Sequence, residues 1–275
     1  MHEMRNIVIT GGTKGLGYVY ATHLSKIPEY RIIITGRSKT PPAEIEPLLG
    51  PAFHYRCLDV ANEQEIIPFF LNIKQDFGHP DVLLNNAGVW GPVGKFNTNA
   101  IDEWVDALTI NLSGVVRCAH AAINIMEPDR HSVIINMVSN AGAYRWPTCS
   151  SYSVSKAAVI KFTENIAIEL KKNNISVYSF HPGLVHSTGM VIDLFSHPPE
   201  EQGATRNAME WIIKEKERGN TVSVEAGIPN IEKLCSGKYD CLSGLYMTEA
   251  DDLDTMCSDI RKIRKQDLYQ LRINK

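Results

Sequence analysis

The sequence predicts a doubly wound α/β fold: one domain with a mostly parallel seven-stranded sheet and helices on both of its faces. Three observations predict it. Short apolar runs such as NIVIT (6–10) and RIIIT (31–35) are continuous rather than alternating, which means burial on both faces, as in a parallel sheet covered by helices. These runs alternate along the chain with patterns of helical period. The first of them also runs directly into a glycine-rich turn that opens a helix.

Taken in order, NIVIT is the first strand, and KGLGYVYATHLSKI (14–27) is a helix. RIIIT is the second strand, and AFHYRCLDV (52–60) contains the third. EQEIIPFFLNIKQDF (63–77) reads as a helix with an irregularity at Pro68, where the ring removes one backbone donor. DVLLNNAG (81–88) is a strand entering a glycine turn. LSGVVRCAHAAINIME (112–127) is apolar around most of its circumference, the mark of a helix buried on more than one side. SVIINMVS (132–139) and ISVYSF (175–180) are strands on either side of a helix from about 152 to 171, and SGLYM (243–247) is the last strand. Residues 186–220 break the alternation with turn formers and scattered large apolar side chains, a pattern expected of a substrate lid. Residues 251–275 read as a charged amphipathic helical extension of a domain spanning 1–250.

The chain has 275 residues and a formal net charge of -3, with 44% hydrophobic and 21% charged residues. This is an ordinary globular composition with no electrostatic case for nucleic acid or anionic membrane. No apolar run reaches membrane-spanning length and no signal-peptide core precedes the first strand, so a cytoplasmic protein is expected. The six cysteines show no CxxC and no zinc spacing. They are expected to act as small apolar residues in a reducing compartment, with no metal site.

The turn after the first strand is TGGTKGLG (10–17). Gly11, Gly15 and Gly17 let the backbone turn tightly and approach a pyrophosphate, which then meets the helix's free N–H groups and positive dipole end. Thr13, Lys14 and Leu16 belong to the same loop. The second strand ends in TGRS, so Arg37 stands where an NAD site usually has an acid. A guanidinium there suits the 2′-phosphate of NADP, and Lys14 adds a second cation at that end; both could instead be ordinary surface cations. Asp59 follows the third strand, where its carboxylate could accept a hydrogen bond from an adenine amino group, with Val60 beside it.

In SYSVSK (151–156), Tyr152 and Lys156 are spaced i, i+4 and so share one helix face. With TGGTKGLG, LDV (58–60), NNAG (85–88), Asn111, Ser139 and PG (182–183), the chain resembles the short-chain dehydrogenase/reductase family from about residue 5 to 190. The resemblance implies a Rossmann fold and an NADP(H)-dependent oxidoreductase of ketones, aldehydes or secondary alcohols. It makes Tyr152 the acid that protonates the carbonyl oxygen. Lys156 would lower the tyrosine's pKa and hold the nicotinamide ribose, Ser139 would bond the substrate oxygen, and Asn111 would hold a water leading from Lys156 to solvent. It gives Asn86, Ala87 and Gly88 a cofactor-passing role, places Pro182, Gly183 and Val185 beside the nicotinamide, and offers Ser187 or Thr188 as the carboxamide contact. Trp90, Tyr144, Arg145 and Trp146 fall in loops after sheet strands, where ligand clefts of such folds lie, and are the candidate substrate wall. His181 and Cys149 lie near by and read as structural.

The sequence departs from the family's fatty-acid-synthesis reductases after the last strand, where TEADD and a longer tail replace their usual Asp-Gly-Gly turn. A 3-oxoacyl-thioester substrate and the usual tetramer contacts are thereby put in question. A homodimer through the 112–127 and 153–170 helices, or a homotetramer, is expected. A regulator that binds NADP without turning it over is the alternative. Such relatives generally lose the tyrosine or lysine, and this chain has both.

Overall fold

The continuous β-branched runs become strands with no exposed face. The computed structural model describes residues 4–186, 191 and 204–273. Its strands are β1 (Arg5–Ile9), β2 (Tyr30–Gly36), β3 (Phe53–Cys57), β4 (Val82–Asn85), β5 (Ser132–Met137), β6 (Ile175–His181) and β7 (Tyr246–Thr248). They form one sheet in the order β3-β2-β1-β4-β5-β6-β7, with every pairing parallel. The order reverses between β1 and β4, so a crevice opens outside their carboxyl ends.

Side chains of each central strand go alternately to two cores, which is why the runs show no polar alternation. Ile7, Ile9, Ile32, Ile34, Val82 and Leu84 pack in one, and Val8, Ile33 and Leu83 in the other. The first core is closed by α1 (Gly15–Leu24), α8 (Ile228–Cys235), α9 (Leu253–Ser258) and α10 (Ile260–Lys265), through residues such as Leu24, Leu234, Leu253 and Ile263. The second is closed by α2 (Glu63–Phe77), α4 (Val115–Ile123) and α6 (Ser150–Glu169), through Phe70, Ile73, Cys118 and Ala167. Three further helices, α3 (Ile101–Leu108), α5 (Asn140–Ala143) and α7 (Ala204–Glu217), lie in the connections. Each fully buried Ile or Leu contributes about 1.5–3 kcal/mol of hydrophobic stabilisation.

Pro68 does not break α2. It lies on the exposed side, so the missing N–H costs one bond on the solvent face, while Ile66, Phe69 and Phe70 keep the helix seated. The apolar 112–127 segment is not uniform: a π-helical turn, Thr109–Gly114, precedes α4. β7 starts three residues later than expected, because Gly244 takes φ +86 and turns the chain into the sheet. Two buried amides inside the sheet are paired: Asn85 Nδ2 donates to Asn136 Oδ1 at 2.9 Å, and Asn136 Nδ2 to Thr163 Oγ1 at 2.9 Å.

The C-terminal segment forms two short helices followed by an extended stretch. The N–H of Tyr246 in β7 donates to Tyr269 O at 2.8 Å, and the Leu271 N–H and Arg272 guanidinium both reach the buried Glu164 of α6. The expected cysteine behaviour holds for buried Cys118, Cys149 and Cys235 but not for the others. Cys57 is exposed, and Cys241 and Cys257 form a disulfide. The packing of α9 against the loop before β7 brings their Cα atoms to 6.2 Å, within bridging range. Among the described residues no helix is long and apolar enough to cross a membrane.

Candidate active site

One cavity of about 1030 Å³ lies across the carboxyl ends of the strands. At one end is the glycine loop. Gly11 and Gly15 adopt φ +64 and +58, in the left-handed region that side chains disfavour. A Cβ at Gly11 would stand 2.9 Å from Ala87 Cα, so glycine here lets β1 and β4 approach closely. Two residues stitch those strand ends together. Thr10 Oγ1 accepts from the N–H groups of Asn86 and Ala87 at 3.0 and 3.1 Å, and Asn86 Nδ2 donates to the carbonyls of Thr10 and Gly11 at 3.0 Å each. Thr13, Lys14, Leu16, Arg37, Asp59, Val60, Ala87 and Gly88 line the same cavity. Lys14 and Arg37 are exposed cations at its rim. Asp59 Oδ1 accepts from Ala61 N–H at 3.0 Å.

At the other end β5 delivers Ser139, and α6 carries Tyr152 and Lys156 on one buried face. The Tyr152 hydroxyl is hydrogen-bonded to Ser139, whose Oγ also accepts from Ala141 N–H at 3.2 Å and so caps α5. Burial pushes the Tyr152 pKa up to about 12, with Ser139 pulling it down and Cys149 adding to the rise. The expected lowering by Lys156 is therefore not what this geometry gives. The Lys156 ammonium lies 5.6 Å from the tyrosine ring centroid and donates to Met137 O at 2.8 Å, and burial lowers its own pKa to about 8. Desolvation penalises the charged form of each group.

Asn111 and Gly17, expected at the reacting centre and the phosphate loop, do not themselves line the cavity but pack directly against residues that do. Asn111 is fully buried in the π turn. Its Oδ1 accepts from Val89 N–H and its Nδ2 donates to Val89 O, both at 2.8 Å, and Nδ2 also reaches Ser155 Oγ at 3.2 Å. The side chain thus clamps the backbone of the loop after β4. The extra residue of a π turn, a device common near functional sites, sits where this clamp is made. Gly17 packs behind the loop, where a Cβ would stand 2.5 Å from both Asn86 Nδ2 and Gly11 O.

Of the wall residues, Trp90, Tyr144, Arg145 and Trp146 all line the cavity, as do Pro182, Gly183 and Val185. Ser187 and Thr188 lie outside the described residues. Three chemically notable side chains are among the lining residues that were not anticipated. Trp211 on α7 meets Trp146, and nothing in the sequence ties it to residues 65 positions earlier. Glu249 lies just after β7, with a buried Oε2 that has no hydrogen-bond partner and a pKa raised by burial; its signal was the departure from the Asp-Gly-Gly turn. His181, read as structural, lines the cavity with Nδ1 unpartnered, stacks on Tyr246 and is driven down to about pKa 4 by burial. Among the described residues no group of three or more His, Cys, Asp or Glu could hold a metal ion.

Residues 5–199 match the model of the short chain dehydrogenase family. The chain belongs to that family. It is an oxidoreductase acting on carbonyl or alcohol groups with a nicotinamide cofactor. It is 30% identical over 178 residues, 65% of this chain and 73% of the relative, to the 3-oxoacyl-[acyl-carrier-protein] reductase FabG of Haemophilus influenzae. It is 28% identical over 182 residues, 66% of this chain and 73% of the relative, to the NADP-dependent 3-hydroxy acid dehydrogenase YdfG of Escherichia coli O6:H1. A solved structure of an actinorhodin polyketide ketoreductase with NADPH superposes with a TM-score of 0.79 at 24% identity, covering 90% of this chain and 96% of that one. That likeness supports the fold.

Proposed function

We propose that the protein is an NADP(H)-dependent carbonyl reductase in which Tyr152 is the proton donor. The observation that carries the reading is the Ser139–Tyr152–Lys156 arrangement at one end of a cleft whose other end holds the glycine loop, Lys14 and Arg37. These residues fit a dinucleotide. The left-handed glycines leave room for phosphate against free helix N–H groups, and the two cations suit a 2′-phosphate. The NADP dependence named for the Escherichia coli relative supports the same cofactor choice.

When bound, the reduced nicotinamide supplies the hydride that adds to the carbonyl carbon. Tyr152, a phenol protonated at neutral pH, transfers its proton from Oη to the carbonyl oxygen as charge develops there. Ser139 orients the hydroxyl. The Lys156 ammonium, charged below about pH 8, stabilises the phenolate left behind. Asn111 positions the loop after β4 and touches no reacting atom. A homodimer through α4 and α6 is proposed with it: Val154 and Ile168 on α6 remain exposed apolar residues, and sedimentation velocity tests it.

The test is NADPH oxidation by the purified protein over a carbonyl panel of β-keto thioesters, cyclic ketones, aromatic aldehydes and quinones, with Tyr152→Phe as the blank. Turnover should fall by about 10²–10⁴-fold in the variant, with NADPH affinity within twofold of the parent. Turnover retained in Tyr152→Phe would refute the assigned role. Tight NADPH binding without turnover of any carbonyl would favour the regulator instead.

A further inference from the structure

Three of the chain's four tryptophans meet at the reacting end of the cavity. They come from separate elements: Trp90 from the loop after β4, Trp146 from the loop after α5 and Trp211 from α7. Trp90 lies 4.9 Å from the Tyr152 ring and stacks on Trp146 at 5.6 Å with 15° between planes. Trp146 then meets Trp211 edge to face, at 5.1 Å and 89°. The rings form a continuous row beginning at the proton donor, longer than one six-membered ring, and ending in a right-angled corner. Core rings such as Tyr20 are 1% exposed, but Trp211 is 37% exposed and Tyr144, at the same end, 71%. Ring surface is thus left accessible beside the site. The fourth tryptophan, Trp104, packs on Phe96 and donates to Ser150 Oγ at 2.9 Å, and it does not line the cavity.

Aromatic faces and edges carry opposite partial charge, so a flat conjugated ring gains from stacking on one indole while meeting the edge of another. A puckered saturated ring of equal size gains the burial but not these contacts. We propose that the substrate is a carbonyl compound of at least two fused rings, one of them a flat aromatic ring seated in the Trp146–Trp211 corner, with its carbonyl at Tyr152. This inference rests on the carbonyl-reductase reading.

The closing experiment compares 2-tetralone with trans-2-decalone, two bicyclic ketones of matched skeleton, one carrying a fused aromatic ring. The NADPH-loaded protein should reduce 2-tetralone with a kcat/KM about tenfold higher, the worth of one good ring pair. Trp211→Leu should bring the ratio of the two towards one, and Trp211→Phe should preserve it, which separates loss of the ring from loss of folding. Calorimetry on NADPH-loaded Tyr152→Phe reads the two Kd values without turnover, and the same roughly tenfold preference is expected there. Equal Kd values, or decalone or an aliphatic keto thioester reduced as well as tetralone, would overturn the substrate class and leave the reductase standing. Tetralone bound tightly but no NADPH oxidised with any carbonyl would overturn the reductase reading itself.

Discussion

The glycine-loop end of the cavity is tied together by side-chain hydrogen bonds between strand ends, whereas its mouth is walled by rings that touch face to face and edge to face. At the loop end, Thr10 and Asn86 each make two or three bonds that fix the distance between the ends of β1 and β4, and behind the cavity Asn111 makes three that hold the loop after β4. At the mouth, Trp90, Trp146 and Trp211 touch through ring contacts, while His181 and Glu249 each keep an unpartnered buried atom. A bonded frame tolerates little change, because each lost partner strands another polar group. Ring packing is adaptable, as a surface that sets specificity should be. The difference teaches that the backbone frame at the glycine-loop end is held by a polar network, and the wall at the mouth by ring shape.

The comparison is broken most directly at Asn111. Asn111→Ala should lose about 3 kcal/mol of stability, since Val89 N–H and O and Ser155 are left unpaired in a buried place. Urea unfolding measures this, and a loss below 1 kcal/mol would mean the clamp is not the frame it looks to be.

At the mouth, pH is the lever. The folded pKa of His181 is lowered from 6.5 to about 4, so between those values the unfolded chain binds the extra proton. The stabilisation is complete above pH 6.5 and is lost as pH falls through about 4, up to about 3 kcal/mol in all. Thermal unfolding followed from pH 7 to 4 should show this slope, and His181→Asn should flatten it.

Arg37→Asp sharpens the contrast from the cofactor side. Removing a charge-assisted contact worth about 1.5–3 kcal/mol should weaken NADPH binding by roughly 10–100-fold and NADH much less. Equal losses for both would show that Arg37 does not read the 2′-phosphate. The smallest effect is expected at Arg272. Glu164 keeps Lys161 and the Leu271 N–H when Arg272→Ala removes one partner, so the change in Tm should correspond to about 1 kcal/mol or less.

The strands and the glycine turn were legible because their causes are local. Ile32, Ile33 and Ile34 can be consecutive only where both sheet faces are covered, and Gly11 and Gly15 stand where the chain must turn left-handed. Tyr152 and Lys156 were legible because helical spacing fixes their common face. Asn111 was read as a water holder beside Lys156; its side-chain bonds to Val89 and Ser155 were not legible, because the π turn that aims it leaves no periodic trace in the sequence. The direction of the Tyr152 pKa was also hidden, since it depends on how completely the site is buried. Trp211 and Glu249 reach the cavity through long-range packing, which spacing along the chain does not report. The Cys241–Cys257 pair was missed for the same reason, because only the docking of α9 brings the two together.

The bonds from the tail carry a consequence for the order in which the chain matures. Glu164 is made more than a hundred residues before Leu271, and the separation between them is 107 positions. During synthesis α6 can be complete while its buried carboxylate still lacks two of its partners, and β7 cannot join the sheet edge or meet Tyr269 until later still. A nascent chain therefore passes through a stage with an open strand edge, the state most exposed to mispairing with another chain. Only the arrival of residues 269–272 ends it.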